Sequence, residues 1–544
     1  MPVDYQQSTV KAKEIIALRD REKAKQSNFR SLWQSVANLV FPQTFGIDTI
    51  NSAGAELMSG LFDTTAVEES ENMTSGITNN LFPAGQRFFA FKPPSALKDD
   101  QDASDYLYYL TEETHEQIFN SNYLAQTSNT IHYWLTFGMG ANYSDWTVAD
   151  GLNYRDYAIG TYQCLENAKG IIDTIILTCP MSARQIRQQF GANSGSSVER
   201  AMQNPETSGE EFNIIHIVQP RANRELGRID ALNMAFESVY VQEKDQIVVE
   251  EGGFDEFPFA VPRYDVVYRE VNGRGRGVML LPAVRRLNRI CKDYLEMSNK
   301  WVNPPREILD TFEGNVDVTP GANNFVTQME SIRAIDMGAN GAFPVVKDIL
   351  EYWRETIRDG FYHKAFEPVT DLSGDRRTTT EIIERLKEGM KRMSRPLGRL
   401  FVELLTPQIT RSALLLIRNG VLDRPPESLY GRNMGLRFIN PLALALEDQQ
   451  ARGGQYWVAA LGQAEEVFPG VADNVESDAW ARDLGESLGV KSTHIRPVRK
   501  RDAVRQMRLE QQQQMQAMEA AAATADTYNK ATKAPEPGSL AEGE

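Results

Sequence analysis

The chain has 544 residues, with 58 Lys plus Arg against 74 Asp plus Glu, a formal net charge of −16 and 41% apolar residues. That is length enough for several domains and a large buried core, and the acidity argues against a dedicated nucleic-acid-gripping protein, which would show a basic face. Three cysteines (Cys164, Cys179 and Cys291) with no CxxC pair argue against a disulfide framework or a zinc site and for a reducing compartment.

The N-terminus lacks a basic-then-apolar leader pattern, and no apolar run approaches the roughly 18 residues needed to cross a bilayer. The expectation is a soluble protein made in the cytoplasm, with no membrane partner. Residues 9–40 read as helix, with Ile15, Ile16, Leu18, Phe29, Leu32, Trp33, Val36 and Leu39 as the apolar set and Pro42 as the stop. A second helix covers 67–81. The segment Leu81-Phe-Pro-Ala-Gly-Gln-Arg-Phe-Phe-Ala-Phe91 then turns and leaves as a strand, 102–137 is helical again, and Gly138-Met-Gly-Ala-Asn142 is a break.

From about 143 to 268 the signal changes to short strands rich in Val, Ile, Tyr and Phe: Ile171–Leu177, Phe212–Val218, Phe236–Gln242, Gln246–Glu250 and Val266–Tyr268. Glu243-Lys-Asp245 reads as a hairpin turn. The helix Ser182–Phe190 interrupts the strands and ends at Gly191, and the polar run Ala192–Glu210 reads as a mobile loop. Gly273-Arg-Gly-Arg-Gly277 reads as a flexible joint before the next helix. In that helix Pro282 suits a first turn, and Leu287, Ile290, Cys291, Tyr294 and Met297 form the apolar face to about Trp301. Residues 306–343 are Gly- and Asn-rich and only weakly strand-like.

The most informative stretch runs from Phe343 to Gly420. Val346, Ile349, Leu350, Trp353, Ile357 and Phe361 share one face of a helix. The loop from Pro368 to Arg377 is turn chemistry with nothing to bury. A second helix can run from there to Gly420, a good C-terminal stop. About 42 residues at 1.5 Å each span roughly 63 Å, more than a globular helix needs, which points to an assembly. Pro396 and Pro407 lie inside it. They read either as a hinge or as the junctions of shorter helices, with a kink at one and a break at the other. After residue 443 the chain is helical and polar to about 510. The Gln-rich and Ala-rich remainder reads as a fraying helix and then disorder.

No enzyme constellation emerges. There is no GxxxxGK[ST] loop, and five His in the whole chain is thin for acid–base or metal work. His115-Glu116 lacks the second His of a zincin and reads as a solvated helix face. Gly485-Glu-Ser-Leu-Gly489 follows a polar helical stretch, with only His494 after it and no acid between, so it is no nucleophile elbow. No catalytic residue, metal or cofactor is expected. The cations are more telling by position. Arg285, Arg286, Arg289, Lys292 and Lys300 share one helix, Arg354 and Arg358 lie one turn apart on another, and Arg376 and Arg377 tip the polar loop beside Ser373. For any one of them a solvated face or an intersubunit salt bridge is the plainer reading. The sharper one is a sparse ring of positive charge that touches phosphates without gripping them.

In order and wording, nearly the whole chain resembles the portal (head-to-tail connector) proteins of short-tailed, T7-like bacteriophages. The resemblance rests on Leu81-Phe-Pro followed by a strand, and on Phe257-Pro-Phe-Ala-Val-Pro-Arg-Tyr followed by Gly273-Arg-Gly-Arg-Gly and a helix. It continues through helix, Gly-rich insert, helix, polar loop and long proline-bearing helix with Glu381, to a Gln-rich helical end. It implies an α+β, mainly helical fold. Residues 1–281 would form the wing, with the spine helix 379–443 joining it. Residues 282–301 and 345–366 would be the stem, 302–344 the clip, 367–378 the tunnel loop, 444–510 the crown and 511–544 a low-complexity, disordered tail. It further implies a homo-oligomeric ring, usually of about twelve copies, at one capsid vertex. Through it double-stranded DNA enters and leaves without sequence specificity. Its partners would be major capsid and scaffolding proteins, the large terminase, and then the tail adaptor and other tail proteins. In that setting Ser373, Arg376, Arg377, Arg354 and Arg358 become candidate DNA-channel residues; Arg285, Arg286, Arg289 and Lys292 a basic stem face; and Pro396 and Pro407 a spine hinge. The alternatives are a tail or baseplate adaptor ring without DNA contact, and an enzyme such as a nuclease or terminase subunit.

Overall fold

The computed structural model describes residues 5–44, 46–48, 54–83, 85–97, 100–204, 206–225, 227–228, 230–308, 310, 315–317, 325, 332–335, 342–366, 392–432, 434–440, 443, 457–464, 470–478, 480–481 and 498–532. They fall into two units, Met1–Leu446 and Glu447–Glu544. The fold mixes helix and sheet.

The first unit opens with α1 (Tyr5–Lys25) and α2 (Ser27–Leu39), separated at Gln26, whose buried side-chain amide donates to Asn272 Oδ1 at 3.3 Å. Trp33, Val36 and Ala37 put one face of α2 in the core. Next come α3 (Thr65–Leu81), α4 (Gln101–Asn120) and α5 (Tyr123–Phe137). Asp100 caps α4 by accepting from the Asp102 and Ala103 amides. The strand expected after Pro83 is β1 (Phe89–Lys92). Its partner is far down the chain, antiparallel β12 (Gly435–Phe438).

The strand region holds two sheets. β2 (Ala141–Thr147) lies between β3 (Gly151–Tyr157) and the short β9 (Phe259–Ala260). The other sheet is an antiparallel meander of β4 (Tyr162–Glu166), β5 (Ile172–Ser182), β6 (Glu211–Pro220), β7 (Phe236–Gln242) and β8 (Ile247–Phe254). Strand alternation explains its two coats. Ile215 and Ile217 of β6, with Val239 and Val241 of β7, meet Ala12 and Ile15 of α1. Phe212 and Ile214 point the other way and meet Ile186, Phe190, Val198 and Ala201. Those last residues belong to α6 (Ala183–Phe190), started by a Ser182–Gln185 capping box, and to α7 (Ser196–Gln203).

Two expectations fail here. Ala192–Glu210 is not a bare loop: it carries a 3-10 turn and α7, and Asp245 accepts from the Ser197 amide at 2.8 Å at the start of that helix. Val266–Tyr268 is not a strand, and the Val267 and Tyr268 side chains are exposed. Three apolar-looking residues without a neighbouring ladder do not make one.

Gly273-Arg-Gly-Arg-Gly277 is a close crossing rather than a flexible joint. A Cβ on Gly275 would stand 2.5 Å from both Gly138 N and Leu135 O, and one on Gly277 would stand 2.7 Å from Thr136 O. The C-terminal turn of α5 therefore lies backbone against backbone on the start of α8 (Arg276–Val302). Gly138 itself has φ 106°, the left-handed cap that ends α5. Pro282 sits in the interior of α8, not in its first turn.

α8 leads to the antiparallel pair β10 (Arg306–Ile308) and β11 (Ile332–Ala334), and then to α9 (Ala342–Gly360) and α10 (His363–Phe366). The proposed tunnel loop 367–378 and the first part of the spine, 379–391, lie outside the described residues. Within the expected spine, a helical run extends from Ser394 to Arg418. Neither proline breaks it. Pro396 is in its first turn, where an N–H would have no partner. Pro407 is accommodated by a π-helical segment, Phe401–Leu405, across which the Thr406 amide reaches back to Phe401 O. The helix ends before Gly420, whose φ is 72°, as the sequence predicts.

By length and composition this run could cross a membrane. In the fold it is a core helix: Leu397, Leu400, Leu404, Leu405, Ile409, Ala413 and Leu416 are buried, as is Arg411, which pairs with Glu256 at 3.3 Å. In the second unit the helix Val498–Thr532 continues through the Gln- and Ala-rich stretch, where the sequence reading expects fraying and disorder. Gln and Ala are both good helix formers, and their low complexity says nothing against a helix.

Candidate functional site

α8 and α9 form an antiparallel hairpin. Leu281, Val284, Leu287 and Cys291 bury one side of α8, and Leu350 and Ile357 bury one side of α9. Near one end a Cβ on Gly360 would come within 2.5 Å of the Leu280 side chain, and further along the Arg286 guanidinium lies 5.3 Å from the Trp353 ring centroid. The outer surface stays apolar in places. Leu295 and Ile349 are exposed, as are Val302 at 68% and Tyr352 at 66%.

The hairpin brings together six of the candidate cations and treats them differently. Arg354 is held inside the chain: its Nε donates to Asp63 Oδ2 at 3.0 Å and its Nη2 lies 2.9 Å from the same oxygen. Burial pushes the Asp63 carboxyl up, but hydrogen bonds from Thr65 and Arg354 outweigh it and hold it below the usual carboxylate range. Cys291 Sγ sits 3.6 Å from Asp63, and burial followed by that charge lifts its thiol to about 11, so it is no nucleophile at neutral pH. Arg358 reaches Glu351 at 3.0 Å and Glu355 at 3.8 Å. Arg289 pairs with Asp293 at 3.0 Å and Lys292 with Glu296 at 3.9 Å. Arg286 lies on Trp353, and Arg285 has no carboxylate in ion-pair range among the described residues. Ser373, Arg376 and Arg377 lie outside the described residues.

Sequence reasoning missed the buried locks. Arg263 donates to Glu403 at 2.9 Å, to Gly170 O at 3.0 Å and to Glu166, tying the proline helix to the β4–β5 turn. Arg411 Nε donates to Ser144 O at 3.0 Å, and Arg418 to Glu256 at 2.9 Å. His363 Nδ1 lies 2.8 Å from the buried Glu69 and fastens α10 to α3. No spacing rule links residues this far apart in the chain, so nothing in the sequence marks these pairs. His115 is not on a solvated face: it packs on Phe119, Phe88 and Phe89, and burial depresses its basicity. Among the described residues no three His, Cys, Asp or Glu converge as a metal site. Gly485–Gly489 lies outside the described residues.

The family model described as bacteriophage head to tail connecting protein matches residues 12–495. The chain belongs to this family. A head-to-tail connecting protein is a virion component at the junction of head and tail, associated with both. The portal protein of Salmonella phage epsilon15 is 26% identical to this one over 508 residues, which cover 90% of each chain. The probable portal protein of Bordetella phage BPP-1 is 25% identical over 370 residues, or 66% of each chain. The matched residues of this head-to-tail connecting protein take in the hairpin, the 367–378 stretch and the proline helix, and stop short of the helix Val498–Thr532.

Proposed function

We propose that this protein is a portal. Its copies form a ring at one capsid vertex, and duplex DNA passes through the ring's lumen during packaging and again during ejection. The observation that carries the reading is the family match across 12–495, supported by similarity over 90% of each chain to a portal protein. α8 and α9 are the stem, 302–344 the clip on which the large terminase and later tail proteins dock, and 1–281 with the proline helix the wing that meets the capsid.

The electrostatics suit a passage. The chain is acidic, and Arg354 is held within the chain by Asp63. A lumen lined with free cations would hold phosphates at every register and make sliding costly. The loop 367–378, with Ser373, Arg376 and Arg377, supplies the few contacts to the moving strand. The structural role needs no catalytic residue and no cofactor.

Negative-stain microscopy of the purified full chain tests this. The expected particle is a closed ring with an open hole wide enough for B-form DNA. A ring whose hole is too narrow for duplex points to an adaptor without DNA contact, and a compact monomer overturns the portal reading.

A further inference from the structure

The two hairpin helices carry opposite charge. α8 has six cations and two carboxylates, and α9 has three cations and four carboxylates. Their spacing is what makes this informative. Arg285, Arg289 and Lys292 follow one another at four and three residues, so they form one stripe on α8. Asp348, Glu351 and Glu355 follow at three and four and form one stripe on α9. All six side chains are exposed or half-buried.

The packing fixes how the stripes line up. Leu280 stands level with Gly360, and Arg286 with Trp353. Continuing that antiparallel register sets Arg285 level with Glu355, Arg289 with Glu351 and Lys292 with Asp348. Yet among the described residues no ion pair joins α8 to α9 within the chain. Arg289 and Lys292 make do with Asp293 and Glu296 on their own helix, and Glu351 and Glu355 with Arg354, Arg358 and Lys364. These pairs are solvent-exposed and weak, so a better partner displaces them easily. Asp348 has no cation in range among the described residues.

We propose that the α8 stripe of one copy docks on the α9 stripe of a second copy of this chain, as the ladder Arg285–Glu355, Arg289–Glu351 and Lys292–Asp348. The proposal rests on the ring reading above. Rotation about an axis running along the hairpin keeps every residue at its own level, so level-matched opposite charges within a chain become facing charges between neighbours. Exposed Tyr352, between Glu351 and Glu355, is covered by the same contact. Arg285, Arg289 and Lys292 are then spent at the subunit boundary and do not face the lumen.

The test uses the full chain. Variant one carries Arg285→Glu, Arg289→Glu and Lys292→Glu; variant two carries Asp348→Lys, Glu351→Lys and Glu355→Lys; variant three carries all six. Ring closure is read by native mass spectrometry and negative stain. The expected result is that variants one and two lose closed rings and variant three regains them. Wild-type rings that persist in variant one, with only DNA packaging lost, overturn the ladder and leave the portal reading standing. A wild-type chain that forms no ring sinks both. Should the reversed chains fail to fold, Arg289→Cys combined with Glu351→Cys gives the second readout. Mild oxidation is expected to give a covalent series of dimer, trimer and higher species, absent in either single variant, and a monomer-only product overturns the ladder.

Discussion

Replacing Gly275 by Ala separates a rigid crossing from a flexible joint. The added Cβ would lie 2.5 Å from Gly138 N, 2.5 Å from Leu135 O and 2.8 Å from the Thr136 carbonyl carbon. All three are backbone atoms, so no side-chain rotation relieves the clash. The end of α5 and the start of α8 must separate, and they do so in the middle of a core that includes Leu135, Phe137 and Leu281. Overpacking of this kind costs about 3 kcal/mol. Gly275 lies in the unit Met1–Leu446, and at about 2.1 cal/mol/K of unfolding entropy per residue that cost lowers the melting temperature by about 3 °C. The assay is calorimetry or a far-UV circular dichroism melt of the full chain. Gly209→Ala is the control, because a Cβ there meets nothing within 4 Å, and a shift within about 0.5 kcal/mol is expected. An equally small shift for Gly275→Ala would refute the crossing and restore the joint.

Acid should weaken the fold through His132. Its ring lies 4.0 Å from that of Phe41, and burial drives its basicity down to about 4 from the ordinary 6.5. The unfolded chain therefore takes up a proton below pH 6.5 that the folded chain refuses until about pH 4. The His132 contribution is complete above 6.5 and about 3 kcal/mol is lost as pH falls to 4. Urea midpoints measured across that window in wild type and His132→Phe check this, and equal pH slopes would contradict it. Neutralising the loop with Arg376→Gln and Arg377→Gln is expected to alter DNA packaging or retention while rings still assemble; loss of the ring itself would argue against a channel role for the loop.

Much of the fold is legible in the sequence because periodicity is local. α2, α3, α5, α8 and α9, and strands β5 to β8, lie close to where apolar spacing puts them. What fails is set by partners remote in the chain. β2 and β3 carry polar residues such as Asn142, Ser144, Asp145, Asn153 and Asp156, and read as strands only once their ladder exists. The Gly273–Gly277 run looks flexible until the α5 terminus is laid against it. Pro407 looks like a break until the π turn before it is seen.

The candidate site shows the same division. The cations of the hairpin are visible as residues and as helical spacing. Their fates depend on Asp63, Trp353, Asp293 and Glu351, and the first two are fixed only by packing. Arg354 reads in the sequence as a solvated or intersubunit-paired cation one turn from Arg358, and in the sharper reading as a candidate phosphate contact. In the fold it is the partner of a buried carboxylate that precedes α3.

In the portal reading, copies stand side by side around an axis and enclose a passage for DNA. Native mass spectrometry of the purified full chain, with images of the same sample, tests it most directly. A single closed assembly with a lumen that admits duplex is expected. A monodisperse monomer at micromolar concentration, or an assembly with a closed centre, would contradict it.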